Sequence, residues 1–404
     1  MEKVFVVTAK RTPIGAFGGS LKDVAAGDLA AVAIKAALAD ANLAGEQVDE
    51  VIVGNVIGAG QGMSVGRQAA LYAGVPETTP AYSVNMVCGS GMKTVMDAVS
   101  HIRNGDGEVI VAAGVEVMSQ IPFVIPASVR NGHKMGNLVT TDLLINDGLT
   151  DVFNQYHMGV TAENVASQVG ISREQQDQYA LSSQQKAVAA IEAGHFKAEI
   201  APVEVKQRRE IVHFDTDEYP KANATLEGLQ KLRPAFDKQG SVTAGNASGI
   251  NDGASAIVLA SESAVNKYNL KPVAEVVSYA QAGIDPKVMG LGPVPAVTTA
   301  LQKANLTTND IDVYELNEAF AAQALGVIHE LAREHKVSVA SIQDKANPNG
   351  GAIALGHPLG ASGNRILVSL IHELNRSSGQ YGVASLCVGG GMGTAVIVKS
   401  VEWN

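Results

Sequence analysis

The sequence predicts an α/β protein made of two related halves. Three observations carry this reading. Short, nearly continuous apolar runs recur along the chain. Stretches with apolar residues spaced by three and four lie between them. A segment near the start is repeated near the end. Apolar runs of that kind read as strands covered on both faces, and their alternation with helices implies an α/β architecture. Composition agrees: 46% hydrophobic and 17% charged residues in a 404-residue chain describe a globular protein. With 42 glycines and few aromatics, backbone packs close to backbone and turns are tight.

The predicted strands, in order, are VFVVT (4–8), VIVGNV (51–56), VIVAAG (109–114), AIVLAS (256–261), IDVYELN (311–317), GVASLCVG (382–389) and TAVIVKS (394–400). Among the helices, Met92, Val95, Met96, Val99 and Ile102 form one apolar stripe over 90–103. Over 172–193, Ser172 and Gln175 form a capping-box pattern and Gly194 stands where the helix should stop. The repeat sets DANLAGEQVDEVIVGNV (40–56) on KANLTTNDIDVYELNEA (303–319) at an offset of 263. It sets GSGMK (89–93) on ASGNR (361–365) at 272, and Gly107 and Val111-Ala112 follow at that same offset. Two matched blocks in one order indicate gene duplication. They make Gly360 the counterpart of Cys88, so that two equivalent helix starts can face one central site. Residues 119–245 do not fit the repeat and read as an insertion. The expected organisation is a first half over 1–118 completed by 246–271, the insertion over 119–245, and a second half over 272–404.

A formal net charge of −10 argues against nucleic acid or an anionic membrane as main partner. No run approaches the roughly 20 apolar residues of a membrane span. Two cysteines do not make a disulfide framework, and the nine histidines show no zinc spacing with them. MEKVFVVTAKRTP opens as a strand rather than a signal peptide, and KSVEWN carries no peroxisomal or retention tripeptide. A cytoplasmic location is the expectation.

Four residues stand where chemistry could occur. Cys88, in VNMVCGSGMK, lies between a β-like run and a helix. Free cysteines are usually inert core residues, but at a helix N-terminus the N–H groups and dipole favour a thiolate and can bind an oxyanion. Cys387 ends an apolar strand and runs into three glycines, which suggest backbone approaching a ligand closely. His357 sits between Gly356 and Pro358 in GGAIALGHPLGASG, where a fixed imidazole could take a proton from a thiol or donate a hydrogen bond. Asn317, in NEAF, is either an ordinary helix N-cap or an amide that holds a water or ligand oxygen.

The ordered set Cys88, Asn317-Glu318-Ala319-Phe320, Gly356-His357-Pro358, Cys387-Val388-Gly389 resembles the thiolases, over essentially the whole chain. The stretch KMGNLVTTDLLINDGLTDVFNQYHMG (134–159) resembles their short-chain, biosynthetic type. The resemblance implies a five-layer αβαβα core of two duplicated halves with an inserted loop domain over the site. It implies Claisen condensation of two acetyl-CoA to acetoacetyl-CoA plus CoA, and the reverse thiolysis, by a ping-pong route. Cys88 would be the acetylated nucleophile, His357 its activator and Cys387 the base for the second acetyl-CoA. One oxyanion site would be His357 with a water on Asn317; the other, the N–H groups of Cys88 and Gly389. Coenzyme A would meet Ser248, Ala244, His157, Met158, Phe236, Ala319 and Phe320. Lys221 stands where biosynthetic relatives carry an arginine near the nucleotide phosphate; lysine keeps the charge without the bidentate fork. No metal or further cofactor is expected, and a homotetramer of tight dimers is, with 119–140 as a contact. The rival readings are a decarboxylating ketoacyl synthase or hydroxymethylglutaryl-CoA synthase, which lack the second cysteine; a longer-chain thiolase; a cysteine hydrolase; and a silent acyl-CoA-binding protein.

Overall fold

The computed structural model describes residues 2–401. Residues 402–404, the end of KSVEWN, lie outside the described residues. Numbered along the chain, the main strands are β1 (Val4–Arg11), β2 (Glu50–Gly54), β3 (Ala81–Val84), β4 (Val109–Val117), β5 (Asn251–Ser261), β6 (Ala274–Gly283), β7 (Val313–Leu316), β8 (Tyr381–Val388) and β9 (Met392–Ser400). The main helices are α1 (Ala26–Asp40), α2 (Val65–Tyr72), α3 (Ser90–Asn104), α4 (Met158–Val169), α5 (Arg173–Glu192), α6 (Pro293–Ala304), α7 (Ala321–His335) and α8 (Leu359–Ser377). All seven predicted strands are present. The sequence reading missed β3, short and half-exposed, and β6, whose burial alternates so that it never forms an apolar run.

Hydrogen bonding orders the strands β7-β8-β9-β6-β1-β5-β4-β2-β3. From the centre outward the two sides match. Glu50 pairs with Ile110 in parallel, and Val313 with Gly382; these partners lie 263 and 272 positions further on. The bulge between Val6 and Thr8 in β1 recurs between Val276 and Ser278 in β6. At the seam, Phe5 pairs with Glu275 and Val6 with Ala274, a contact centred on equivalent residues. A bulge kept in both copies and a self-equivalent seam mean a pseudo-twofold axis from duplication.

Strand alternation builds the layers. In the first half Val51, Val53, Val109 and Val111 face α1 and α2, while Ile52, Ile110 and Ala112 face α3 and α8. In the second half Ala384, Leu386, Val396 and Val398 also face that central helix pair, and Val383, Ala395 and Ile397 face α6 and α7. Side chains two apart share a face, so the result is five layers, αβαβα. Each buried Leu, Ile or Val contributes about 1.5–3 kcal/mol relative to exposure.

The central helices touch backbone to backbone at their starts. A Cβ on Gly91 would lie 2.8 Å from Asn364 N, and one on Gly363 would lie 2.6 Å from Met92 N, reciprocal contacts of equivalent residues. Glycine at both positions therefore lets α3 and α8 begin at one point. Within 119–245, α5 has the expected box, with Ser172 capping and Gln175 reaching back, and Gly194 follows at φ +75°. This segment is tied to the core by Arg11, wholly buried, which donates to Glu199 at 2.6 Å and to both oxygens of Asp217 at 2.7 and 2.9 Å. Among the described residues no helix is long and apolar enough to cross a membrane.

Candidate active site

Cys88 sits in a turn held by its neighbours. Val87 has φ +45°, a region that costs a β-branched residue about 1–3 kcal/mol. Asn85 Oδ1 accepts from Val87 N–H at 2.9 Å, and Ser90 Oγ accepts from Met86 N–H at 2.8 Å while donating to Val87 O at 2.6 Å. Gly89 then passes β8 so closely that a Cβ would stand 2.9 Å from Val388 Cγ2. This turn carries the half-buried Cys88 side chain to the start of the second half, against an apolar group that includes Ile57, Met118, Leu144 and Leu359.

The backbone N–H groups of Gly389 and of Cys88 itself favour the charged form of the Cys88 sulfur. They lower its pKa, yet burial dominates and, helped by the charge of Glu116, pushes the thiol up to about 11. This corrects the expectation of a resting thiolate at the helix start. Desolvation outweighs the helix N-terminus, so Cys88 rests as a thiol.

Cys387 is buried in β8 among Met158, Ala247, Met289, Ala319 and Phe320. Burial raises its pKa, and the charge of Cys88 raises it further, so Cys387 lies within electrostatic reach of Cys88. Of the three following glycines, Gly389 lies against the Cys88 turn. A Cβ there would stand 3.2 Å from Val87 Cγ1. Gly390 and Gly391 instead have φ of +88° and +87° and turn β8 into β9, with Gly391 pressed on Ile284 and Pro286. The positive φ of both is itself a reason for glycine at these positions.

His357 is buried before α8. Its ring Nδ1 lies 2.6 Å from Ser362 Oγ, and its backbone N–H donates to Asn251 Oδ1 at 3.1 Å. Asn251 Nδ2 in turn donates to Gly15 O at 3.0 Å, and Gly356, φ +109°, leaves no room for a Cβ beside that amide. The backbone of the loop is thus fixed by Asn251 and the ring by Ser362, while Nε2 is buried without a partner. Burial, with the nearby charge of Arg365, pushes its pKa down to about 3, so the imidazole is neutral at ordinary pH.

Asn317 is not an N-cap. Helix α7 is capped at Phe320, and Asn317 instead anchors its own N–H on Ser385 O at 3.0 Å. Both its side-chain oxygen and its side-chain nitrogen are buried without partners. Buried amides are normally hydrogen-bonded, so the orphaned amide and the orphaned imidazole nitrogen both retain free hydrogen-bonding capacity.

Beside Cys387 runs an aromatic wall. Phe236 stacks on His157 with centroids 4.4 Å apart and meets Phe320 edge-on at 6.0 Å. Met158 and Ala319 share its apolar cluster, and Ser248 N–H donates to Ala319 O at 2.9 Å. Ala244 is exposed on the loop before Ser248. Lys221 lies outside this wall: it is exposed, and its Nζ stands 5.7 Å from the ring of Tyr219, which packs on Gly249. The sequence reading missed Glu116, Asn251 and Ser362. Glu116 alone left a signal, as a single carboxylate in the apolar run VIVAAGVEV.

The profile of the thiolase N-terminal domain matches residues 4–263, and that of the C-terminal domain residues 270–400. The chain belongs to the thiolase family. This thiolase is 53% identical to the acetyl-CoA acetyltransferase of Cupriavidus necator, over 99% of this chain and 100% of that protein. It is 51% identical to the acetyl-CoA acetyltransferase of Escherichia coli, over the full length of both. Among solved structures it is similar to the acetyl-CoA acetyltransferase of Syntrophomonas wolfei, with TM-score 0.96, 41% identity, and 99% and 100% of the two chains covered. It is also similar to human mitochondrial 3-ketoacyl-CoA thiolase in complex with CoA, with TM-score 0.93, 48% identity, and 99% and 98% covered.

Proposed function

We propose that this thiolase is an acetyl-CoA C-acetyltransferase, condensing two acetyl-CoA to acetoacetyl-CoA and CoA and running the thiolysis in reverse. What supports the mechanism is the charge of Cys88 acting on the buried Cys387, together with the unpartnered His357 Nε2 and Asn317 amide. In the first half-reaction Cys88 gives its proton to His357 Nε2 and its sulfur attacks the acetyl carbonyl. The N–H groups of Cys88 and Gly389 hold the oxyanion. The bond to the CoA sulfur breaks, and Cys387 protonates that sulfur, leaving a Cys387 thiolate. In the second half-reaction this thiolate removes an α-proton from a new acetyl-CoA. Burial makes it strongly basic, as a weak carbon acid demands. The protonated His357 and a water on Asn317 hold the enolate oxygen. The enolate carbon attacks acetyl-Cys88, the thioester breaks, and His357 returns its proton to Cys88. Each oxyanion donor contributes about 3 kcal/mol of transition-state stabilisation. No metal or further cofactor enters this route.

The aromatic wall of His157, Phe236 and Phe320, with Met158, Ala319, Ala244 and Ser248, is the proposed seat of the pantetheine arm, and Lys221 the proposed outlying cation for a CoA phosphate. Reduced thiols suit the cytoplasm. A homotetramer accounts for Phe123, Ile125, Met135 and Val139 being exposed in and beside the 119–140 segment, and for β3 being an open sheet edge. A second reading, a longer-chain 3-ketoacyl-CoA thiolase, is favoured by the 48% identity to the human mitochondrial enzyme of that name.

The test is loss of acetoacetyl-CoA absorbance on adding CoA, in wild type and Cys88→Ala, with 3-ketodecanoyl-CoA in parallel. The proposal expects turnover of acetoacetyl-CoA, a strong preference for it over the ten-carbon substrate, and loss of turnover in the variant by about 10³-fold or more. Equal or faster turnover of the longer substrate favours the second reading.

A further inference from the structure

The duplication explains why Gly360 is a glycine and what replaces chemistry there. Gly360 lies 272 positions after Cys88 and Gly389 the same distance after Val117, the residue next to Glu116. In the first half, the Cys88 N–H favours the charged form of the reactive sulfur. In the second half, the equivalent Gly360 N–H donates to Glu116 Oε2 at 2.9 Å. That oxygen also accepts from Val56 N–H at 3.0 Å, while Oε1 accepts from Ile57 N–H at 3.1 Å and from Asn55 Nδ2 at 3.2 Å. Donors from both halves thus converge on one wholly buried carboxylate. A Cβ on Gly360 would stand 2.7 Å from Glu116 Oε2 and 2.4 Å from Val115 O, so no side chain fits where the first half carries its nucleophile.

We propose that Glu116 is a built-in anion filling the second half's copy of the anion hole at Cys88, and a positioning residue that fixes the start of α8, and with it His357, against the nucleophile. Gly360 is three residues beyond His357, so the clamp on its N–H sets where the imidazole loop stands. The inference rests on the reading of Cys88 as nucleophile. It also has an electrostatic side. The titratable group that acts on Cys88 is Glu116, whose negative charge disfavours the thiolate, while Cys88 in turn acts on Cys387. Burial holds Glu116 itself up at about 7, against the pull of the N–H groups of Val56, Ile57 and Gly360.

The test combines turnover with iodoacetamide alkylation of Cys88 followed by peptide mass spectrometry across pH. In Glu116→Gln the amide nitrogen confronts N–H donors, so kcat for acetoacetyl-CoA thiolysis falls by about tenfold or more with KM little changed. With the charge gone, the alkylation midpoint moves down by about one pH unit, a shift that a merely structural residue would not cause. Glu116→Asp keeps the charge but cannot reach every donor: kcat falls and the midpoint stays. If Glu116→Gln does not fold, Asn55→Ala, which removes one donor and leaves the carboxylate, lowers kcat by about threefold at unchanged KM. An unmoved midpoint in folded Glu116→Gln, or wild-type kcat in Glu116→Asp and Asn55→Ala, overturns the proposal. Alkylation needs no thioester, so an inactive wild type would count against the proposed reaction and leave this inference to the midpoint alone.

Discussion

Replacing Asn317 by alanine should separate catalysis from stability. Truncating a buried asparagine ordinarily orphans its hydrogen-bond partners at about 1–3 kcal/mol. Here neither amide atom has a partner, and the side chain is buried. Keeping an unpaired amide out of water itself costs about 1–3 kcal/mol, which the alanine variant recovers. Against that stands the cavity left by the amide, about 1–2 kcal/mol. The two nearly cancel, so Tm should stay within about 3 °C of wild type. The transition state loses the water that Asn317 holds for the enolate oxygen, and one such donor is worth about 10²–10³ in kcat. Differential scanning fluorimetry reads the first quantity and the acetoacetyl-CoA assay the second. A Tm lower by about 8 °C or more would make the amide a structural element. A kcat within about threefold of wild type would remove it from the reaction.

The remaining predictions concern protons and packing. Cys88 alkylation in the folded protein should stay slow at pH 7 and rise towards pH 11, while the denatured chain reacts with the ordinary thiol midpoint of about 8.5. The linked effect on stability has the same origin. Between those values the unfolded chain releases the proton first, so raised folded pKa values at Cys88 and Cys387 make stability fall as pH rises, measurable by denaturant melts. Because burial holds His357 down at about 3, kcat/KM for the free enzyme should show no protonation step of this histidine between pH 5 and 8. Gly91→Ala, a change that in an open helix stabilises, should instead destabilise by about 1–3 kcal/mol in thermal melts, because its Cβ meets Asn364 N and Gly360 O at 2.8 Å.

Much of this was legible in the sequence, for physical reasons. Strands covered on both faces announce themselves as apolar runs, which is why β4, β5, β8 and β9 were readable and the half-exposed β3 was not. The offsets of the repeat are the registers of the two sheet halves, since pairing must be conserved for the same faces to stay buried. Cys88, Cys387, His357 and Asn317 stood out because each combines a chemically capable side chain with a glycine-rich or strand-to-helix setting. The protonation state of Cys88 was misread because a helix start is visible in a sequence and desolvation is not. Asn251, which holds the His357 backbone, and Ser362, which holds its imidazole, sit in ordinary polar surroundings along the chain, and only the folded backbone brings them to His357.

The central claim is a division of labour between two thiols, and Cys387→Ala mixed with acetyl-CoA tests it most directly. After prolonged exposure, intact-protein and peptide mass spectrometry should find an adduct of about 42 Da on the peptide carrying Cys88, formed more slowly than in wild type because the leaving CoA sulfur has lost its proton donor and persisting because no base remains to form the enolate, with no acetoacetyl-CoA produced. Acetoacetyl-CoA formation at the wild-type rate, or a variant that takes up no acetyl group at Cys88, would contradict the account.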